Sequence, residues 1–585
     1  MIHISRVKIE NFRNFQNFEI YTNKNMVIVG ENKVGKSNFL FALRLILDPS
    51  LSELERFLDI DDFWDGLGAN KIGSTIKISI DIDNINSSET MLSVLADGLV
   101  NVATHTARIT YEFKPRDGIE NHTINDYEYN TYLGNNTENI IPRSFRRCLQ
   151  MELFHALRDC ERELRNSNRS PIRAFLDDVS ENLTEQEKIS ITTGFEQTQG
   201  ALDGVPSIDR IAVNINNMLE TIVGTNHVTQ VSLKLAPQDI SKLVRSLQLL
   251  IDAGLRTISQ ASTGSSNILF LTLKLLQLQH SIQQGEQEFT FLAIEEPEAH
   301  LHPHIQRLLF DYFYNSEANL NTILTTHSPH IASSAPLQSL IVFKEHAIGG
   351  LSATVGYSLI NSTLSPNDIE DMSRYLTVTR GEMLFARGVI LVEGDAEEFL
   401  IPELANKLGY ELDKKGISIC SVAGTNFAPY VKFLRCIGTP FTIITDRDPL
   451  NLPVPLGITR IDKLLELIVP TYIAGVYPEG RIILAGQAQG IFTNTQTLET
   501  ELISSPVLKI IVCDILLEEH GERQRVGPII ERWRNNQTPV DMPALLRYIQ
   551  EIGKGRFAKR LSTRLPDGQC PQYIISSFEY ITNAK

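Results

Sequence analysis

The stretch that most limits what this chain can fold into is NMVIVGENKVGKSNFLFALRLIL, residues 25–47. Its apolar run Met26–Val29 predicts a buried strand, and Leu40, Leu43 and Leu47 have helical spacing that predicts a helix from Ser37. Between them lies Gly30-x-x-x-x-Gly35-Lys36-Ser37, the pattern of a phosphate-binding loop. Glycines let successive backbone N–H groups point into one concavity, and a helix N-terminus adds favourable potential for anions. Gly30, Asn32, Gly35, Lys36 and Ser37 are the expected ATP contacts. Lys36 would reach the β- and γ-phosphates, and the Ser37 hydroxyl would hold Mg²⁺.

Such a loop needs a second strand that ends in acids. FTFLAIEEPE (289–298) supplies one, with Glu295 expected on the Mg²⁺ shell and Glu296 orienting or deprotonating the attacking water. A further apolar strand leads into ILTTHSPHI (323–331), where His327 is placed to sense a γ-phosphate. His300, His302 and His304 do not share one helical face, so no metal site is expected there. Together these pieces resemble ATPases of the ABC type, in which two subunits sandwich ATP. That resemblance implies a signature segment facing the other subunit's nucleotide. Ser262 and Gly264, in ASTGSSNILFLTLKLLQLQ (261–279), are its loosely matching candidates, and they imply a homodimer or a higher homo-oligomer. The span from Ser37 to Glu295 exceeds what a compact ATPase core needs, so something is inserted. Residues 156–179 read as helical with charged faces, and 180–230 as mixed helical and polar stretches. No heptad pattern persists, which excludes a long coiled coil and leaves a helical module that pairs two chains.

At 585 residues the chain is too long for one hydrophobic core. Its six cysteines lack C-x-x-C spacing and read as reduced thiols rather than a zinc site. MIHISRVKIENFRNF does not read as a signal peptide, and no apolar run is long enough to span a bilayer, so a cytoplasmic protein without membrane partners is expected. A net charge of −16 argues against a protein that coats nucleic acid. It does not exclude an enzyme acting on nucleic acid, because metal sites need carboxylates and a local basic strip can track a backbone. GERQRVGPIIERWR (521–534) and GKGRFAKRLSTRL (553–565) are such strips, and Arg556, Lys559 and Arg560 are the expected DNA contacts.

From about residue 384 strands and helices alternate: GVILVEG, DAEEFLIPELANKLG, GISICSVAG, NFAPYVKFLRCIG and PFTIITDRD. This predicts a parallel sheet flanked by helices, with ligands at the carboxyl ends of its strands. Glu393, Asp446 and Asp448 fall at those ends, and Glu397 lies one helical turn beyond Glu393. Asp446 and Asp448, two apart in extended chain, are expected to point the same way. Carboxylates converging without cationic partners repel one another. Divalent metal is the simplest relief, and oxygen-only ligation favours Mg²⁺, Mn²⁺ or Ca²⁺ over zinc.

A Glu-Gly strand end followed by Asp-x-Asp resembles the Toprim fold. The finer resemblance is to the OLD (overcoming lysogenisation defect) nucleases, which join an ABC-type ATPase to a Toprim domain. It rests on FRNF (12–15), GENKVGKSNFL, LRDCERELR, EEPEAHLHP, TTHSP, LFARGVILVEGDAEE, AGTNF, TDRD, TLETEL (497–502) and GKGRFA (553–558), in that order. It implies an α/β chain with an ABC-type ATPase in two parts (1–160 and 233–345), an inserted helical dimerisation module (161–232), a linker (346–383) and a Toprim nuclease domain (384–585). It further implies that Glu393, Glu397, Asp446, Asp448 and Glu499 bind two ions, Mg²⁺ or Mn²⁺, with Thr497 adjacent. Lys554 would stabilise charge at the scissile phosphate, as a compact cation can. The implied function is an ATP-regulated endonuclease or nickase cutting DNA by a two-metal mechanism, in anti-phage defence, sometimes with a partner protein or nucleic acid. Two departures are Arg447 between the aspartates and the poor signature. Competing readings are a topoisomerase or primase using the same acids, and a non-cleaving ATP-dependent DNA clamp.

Overall fold

The computed structural model describes residues 2–118, 122–142, 145–154, 164, 170–223, 231–233, 239–285, 289–315, 320–348, 350–360, 362–448 and 454–583. LRDCERELR (157–165) lies, but for residue 164, outside the described residues. The chain forms two compact units, one of Met1–Leu153, Phe291–Glu298 and Pro303–Lys585, the other of Phe154–Thr290 and Ala299–His302.

The first unit holds three sheets. In the antiparallel one, His3–Phe12 turns back on Phe15–Tyr21 with Phe12 opposite Phe15, and Ile76–Asp83 and Thr106–Pro115 extend it. In the second, Met26–Gly30 is central and runs parallel to Leu320–Thr326 on one side and Leu340–Ile348 on the other. All five residues of MVIVG are buried. A continuous apolar run suits a strand covered on both faces. The helix Lys36–Leu47 follows as the sequence predicts.

Residues 346–383, read from sequence as a linker, are not one. Leu340–Ile348 pairs antiparallel with Leu351–Ser358 at the edge of the second sheet, and a helix runs over Pro366–Tyr375. Ser365 caps that helix with Asp368 in a capping box. Its Met372, with Leu376, Met383 and Leu384, is buried in one core that also takes Val27 and Val29 of the phosphate-loop strand and Val389 and Leu391 of the third sheet. Asn367, Glu370, Ser373 and Arg374 of that helix are exposed, while Asp368 is buried.

The third sheet is parallel throughout, in the order Ile417–Ser421, Gly388–Val392, Phe441–Thr445, Ile491–Thr493. Successive side chains of GVILV alternate between faces. Val389 and Leu391 enter the core just described, while Ile390 and Val392 enter a second one built with the C-terminal helices.

In the second unit the described helices are Ile172–Asn182, Glu185–Asp203, Pro206–Val223, Ile240–Arg245 and Thr263–Gln283. Ile211, Val213, Ile215 and Met218 of Pro206–Val223 are exposed. No described helix is long and apolar enough to cross a membrane.

Candidate active sites

The phosphate loop turns at Gly35, whose φ of 94° is left-handed and where a Cβ would lie 1.9 Å from the amide nitrogen of Asn14. Only glycine fits that turn. Asn14, from FRNF, donates to the Val34 carbonyl (3.0 Å) and accepts from Asn38 (2.7 Å), so the first hairpin buttresses the loop. The Lys36 ammonium donates to the carbonyls of Gly30 and Glu31, each at 2.9 Å, and burial pushes its pKa down to about 8. Ser37 hydrogen-bonds Glu295 through its hydroxyl. Beyond that strand, Glu296 has φ 48° and its N–H donates to the Thr325 carbonyl at 3.0 Å. This turn leaves its carboxylate 3.3 Å from Nε2 of His327. Burial and nearby Lys36 lower the His327 pKa and favour the neutral imidazole. Gly30, Gly35, Lys36, Ser37, Glu295, Glu296 and His327 therefore gather at one place. Asn32 is exposed within the same loop. Ser262 and Gly264 lie in the second unit, where Ser262 caps the helix Thr263–Gln283 and a Cβ on Gly264 would lie 2.8 Å from the His300 carbonyl.

Glu298, the last acid of FTFLAIEEPE, carries no expectation from the sequence. It is half-buried, accepts from the Thr326 hydroxyl (2.8 Å) and the His327 N–H (2.7 Å), and so fixes the backbone that carries His327. Its second oxygen has no hydrogen-bond partner, and burial raises its pKa.

The second group stands at the carboxyl edge of the parallel sheet. Glu393 Oε1 accepts from the Thr445 hydroxyl (2.5 Å) and from the Asp446 N–H (2.9 Å), which locks two strand ends together. Asp446 accepts from Asn494, which follows the last strand. Burial, then Glu393 and Glu397, push the Asp446 carboxyl up to about 8. Burial, then Glu393 and Glu499, push Glu397 up to about 7. Glu499 is buried, has one oxygen without a hydrogen-bond partner, and lies 3.3 Å from the Lys554 ammonium through the other. Thr497 caps the helix that carries Glu499.

Two sequence expectations fail here. The acids do not converge without cations, because Arg460 donates to Glu393 (2.6 Å) and to Asp448 (2.8 Å). Nor do Asp446 and Asp448 follow an extended repeat. The strand ends at Thr445 and Asp448 has φ 64°, so Asp448 turns to Arg460 while Asp446 faces Asn494. Among the described residues no three Asp, Glu, His or Cys side chains form a ready chelating group.

Arg460 is within reach because its helix, Leu456–Ile468, starts against the Asp446–Arg447 backbone; a Cβ on Gly457 would lie 2.2 Å from the Asp446 carbonyl oxygen. Nothing in the sequence pattern marked Arg460 or Gly457. Asn494 could have been found as a strand-end polar residue, but its strand is only Ile491–Thr493, too short to show a period.

The basic strips are partly neutralised within the fold. Arg560 pairs with Glu519, Arg564 with Glu518, Arg523 with Glu551 and Arg534 with Asp514. Arg556 and Lys559 stay exposed on the helix Lys554–Ser562, whose Phe557, Ala558 and Leu561 face inward.

A phosphate loop with its acidic partner strand, followed by a Toprim-type parallel sheet with acids at its carboxyl edge, defines the class: an ATPase joined to a Toprim domain. The family described as AAA ATPase domain matches residues 2–141 and 106–332, together more than half of the chain, and the family described as overcoming lysogenization defect protein-like, TOPRIM domain, matches 384–448. The chain is 26% identical over 473 residues to the uncharacterized protein YbjD of Escherichia coli K12, covering 76% of this chain and 79% of that one. It is 23% identical over 462 residues to the endonuclease GajA of Bacillus cereus VD045, covering 76% and 75%. The solved C-terminal region of the Burkholderia pseudomallei OLD protein is 39% identical, covers 34% of this chain and 98% of that one, and superposes with a TM-score of 0.32. This chain belongs to the AAA ATPase domain family, and its residues 384–448 match the OLD-like Toprim domain.

Proposed function

We propose that this protein is an ATP-regulated, divalent-metal-dependent DNA endonuclease or nickase that works as a homodimer or larger homo-oligomer in defence against phages. The observation that carries the reading is the lock between strand ends, Glu393 accepting the Asp446 N–H at 2.9 Å with Glu397 and Glu499 close enough to push the Asp446 carboxyl up. The Bacillus cereus relative named an endonuclease supports it.

The donor set fits a hard cation. It is all oxygen, part-buried, strongly negative, and includes a Glu499 oxygen without a hydrogen-bond partner. Glu393, Glu397, Asp446 and Glu499 would hold two Mg²⁺ or Mn²⁺ ions, with Asp448 joining when Arg460 releases it. Such ions supply an activated water and charge stabilisation at the leaving oxygen. Lys554, held at the edge by Glu499, offsets negative charge at the scissile phosphate. Asn494 and the Thr445 hydroxyl fix the carboxylates of Asp446 and Glu393.

In the ATPase half, Lys36 moves from the loop carbonyls to the phosphates, and Ser37 and Glu295 would hold the nucleotide's Mg²⁺. Neutral His327 keeps Glu296 oriented toward the attacking water. Ser262 and Gly264 would meet the nucleotide of a second subunit, and the exposed apolar residues of Pro206–Val223 suit pairing of two chains. ATP controls cutting rather than driving it, since phosphodiester hydrolysis needs no ATP. Arg556 and Lys559 would hold the DNA backbone, with Arg560 drawn off by Glu519.

One observation favours a second reading, a DNA clamp that does not cut: Arg460 already satisfies Glu393 and Asp448 as a structural ion pair. Plasmid nicking with Mg²⁺ or Mn²⁺, with and without ATP, separates the two. The nuclease nicks and its Asp446→Ala variant does not; the clamp leaves plasmid intact under every condition.

A further inference from the structure

Beside the carboxylates lies a groove of about 460 Å³ between the helices Ala428–Cys436 and Leu456–Ile468, lined by Thr425, Asn426, Lys432, Arg460, Lys463 and Glu466 among others. Its size is that of a small-ligand site, enough for a nucleotide-sized segment of one strand. Three cations against one acid make it a local inversion in a chain of net charge −16. Arg460 belongs to both places, since it lines the groove and donates to Glu393 and Asp448. Lys463 is exposed and has no ion-pair partner among the described residues. Lys432 is half-buried and held by Asp368 at 2.7 Å.

The groove and Lys554 flank the acids from opposite faces of the sheet. The two groove helices pack on the Val389 and Leu391 face, and the Lys554 helix packs through Phe557 on the Ile390 and Val392 face. A strand laid over the carboxyl edge would meet cations, then the acids, then a cation again. A polyanion is held on either side while its central phosphate sits over the acids.

We propose that this groove is the phosphate-binding subsite for the DNA strand next to the scissile bond, with Lys463 contacting a backbone phosphate, Asn426 and Thr425 donating to the neighbouring one, and Arg460 passing the strand to the acids. The proposal rests on the nuclease reading of those acids. It makes the expected contacts of the C-terminal helix one half of the DNA path.

The test is binding of a labelled oligonucleotide to the full chain, read by fluorescence anisotropy over a range of salt with Ca²⁺ in place of Mg²⁺. Lys463→Gln weakens binding roughly 3- to 10-fold and lowers the slope of log affinity against log salt by about 0.7–0.9, the release of one counterion. Lys463→Arg keeps both values, and both variants keep wild-type ATP turnover. Wild-type affinity and slope in Lys463→Gln, in a protein that nicks plasmid, overturn the groove alone. Loss of affinity in Lys463→Gln from a wild type that never nicks leaves the groove standing and removes the nuclease reading. A wild type that does not bind the oligonucleotide removes both.

Discussion

Arg387 grips Glu31 with both arms of its guanidinium, Nη2 at 2.8 Å from one carboxylate oxygen and Nε at 2.9 Å from the other. Glu31 is a residue of the phosphate loop, and its carbonyl accepts the Lys36 ammonium. Arg387 directly precedes the strand Gly388–Val392, which Glu393 follows. One loop residue thus touches the nucleotide lysine with its backbone and the Toprim strand with its side chain. Nearby, Lys344 donates to the Ala386 carbonyl at 2.6 Å and tightens the same junction.

ATP drawing Lys36 away from the Glu31 carbonyl would free the loop to shift and Arg387 with it. Arg387→Ala is expected to nick plasmid without ATP as the wild type does, while the ratio of nicking rates with and without ATP moves toward one. The Arg387 side chain is largely exposed, so the pair contributes only about 0–1 kcal/mol to stability and the melting temperature stays close to wild type. An unchanged rate ratio would show that ATP acts through another contact.

Lys36→Ala and Glu296→Gln are expected to remove ATP turnover for different reasons. The first loses the cation aimed at the phosphates, and its binding of ATP weakens. The second keeps binding but loses the carboxylate that His327 orients, so turnover falls by roughly 10²- to 10⁴-fold at near-normal affinity. Phosphate release and nucleotide titration on both variants check this, and turnover surviving in both would retire the assignment.

The elements around both sites were legible because their signals are local. A fully apolar run before a glycine-rich loop can only be a covered strand, and the acids of GVILVEGDAEE and TDRD announce themselves at strand ends. Arg460 and Gly457 were not legible, because their importance comes from a helix start meeting a strand end, which no periodicity records. Residues 346–383 were misread for a related reason. Their buried Met372 and Leu376, and the adjacent Met383 and Leu384, are two short pairs among polar residues, so the core they join is visible only once the chain is folded. The strips near the C-terminus misled in the opposite sense, since Glu518 and Glu519 neutralise arginines from a distant helix.

Gly457→Ala tests the helix–strand contact. Its Cβ would fall 2.2 Å from the Asp446 carbonyl oxygen and 2.7 Å from the Arg447 Cα, both backbone atoms that cannot swing aside. The helix start or the Asp446 turn must move, at a cost of about 1–3 kcal/mol, and Arg460 moves with it. Nicking is expected to fall at least tenfold while ATP turnover stays normal, and denaturant melts should show the loss of stability. Full nicking in this variant would mean that the position of Asp446 tolerates more displacement than its hydrogen bonds imply.

The acids also predict how stability follows pH. An ordinary carboxyl titrates near pH 4, but burial and its neighbours hold Asp446 at about 8 and Glu397 at about 7. Across that window the folded, metal-free protein keeps protons that the unfolded chain has released, so stability falls as pH rises from about 4 to about 8. In EDTA the melting temperature should therefore drop between about pH 4 and pH 8, and drop less in Asp446→Asn, which carries no charge there. Adding Mg²⁺ or Mn²⁺ should restore the wild type most at the alkaline end, because a bound cation takes the place of the lost protons, and restore the variant least. Equal losses in the two proteins, with no greater rescue of the wild type by metal, would show that Asp446 is neither the buried acid nor a ligand.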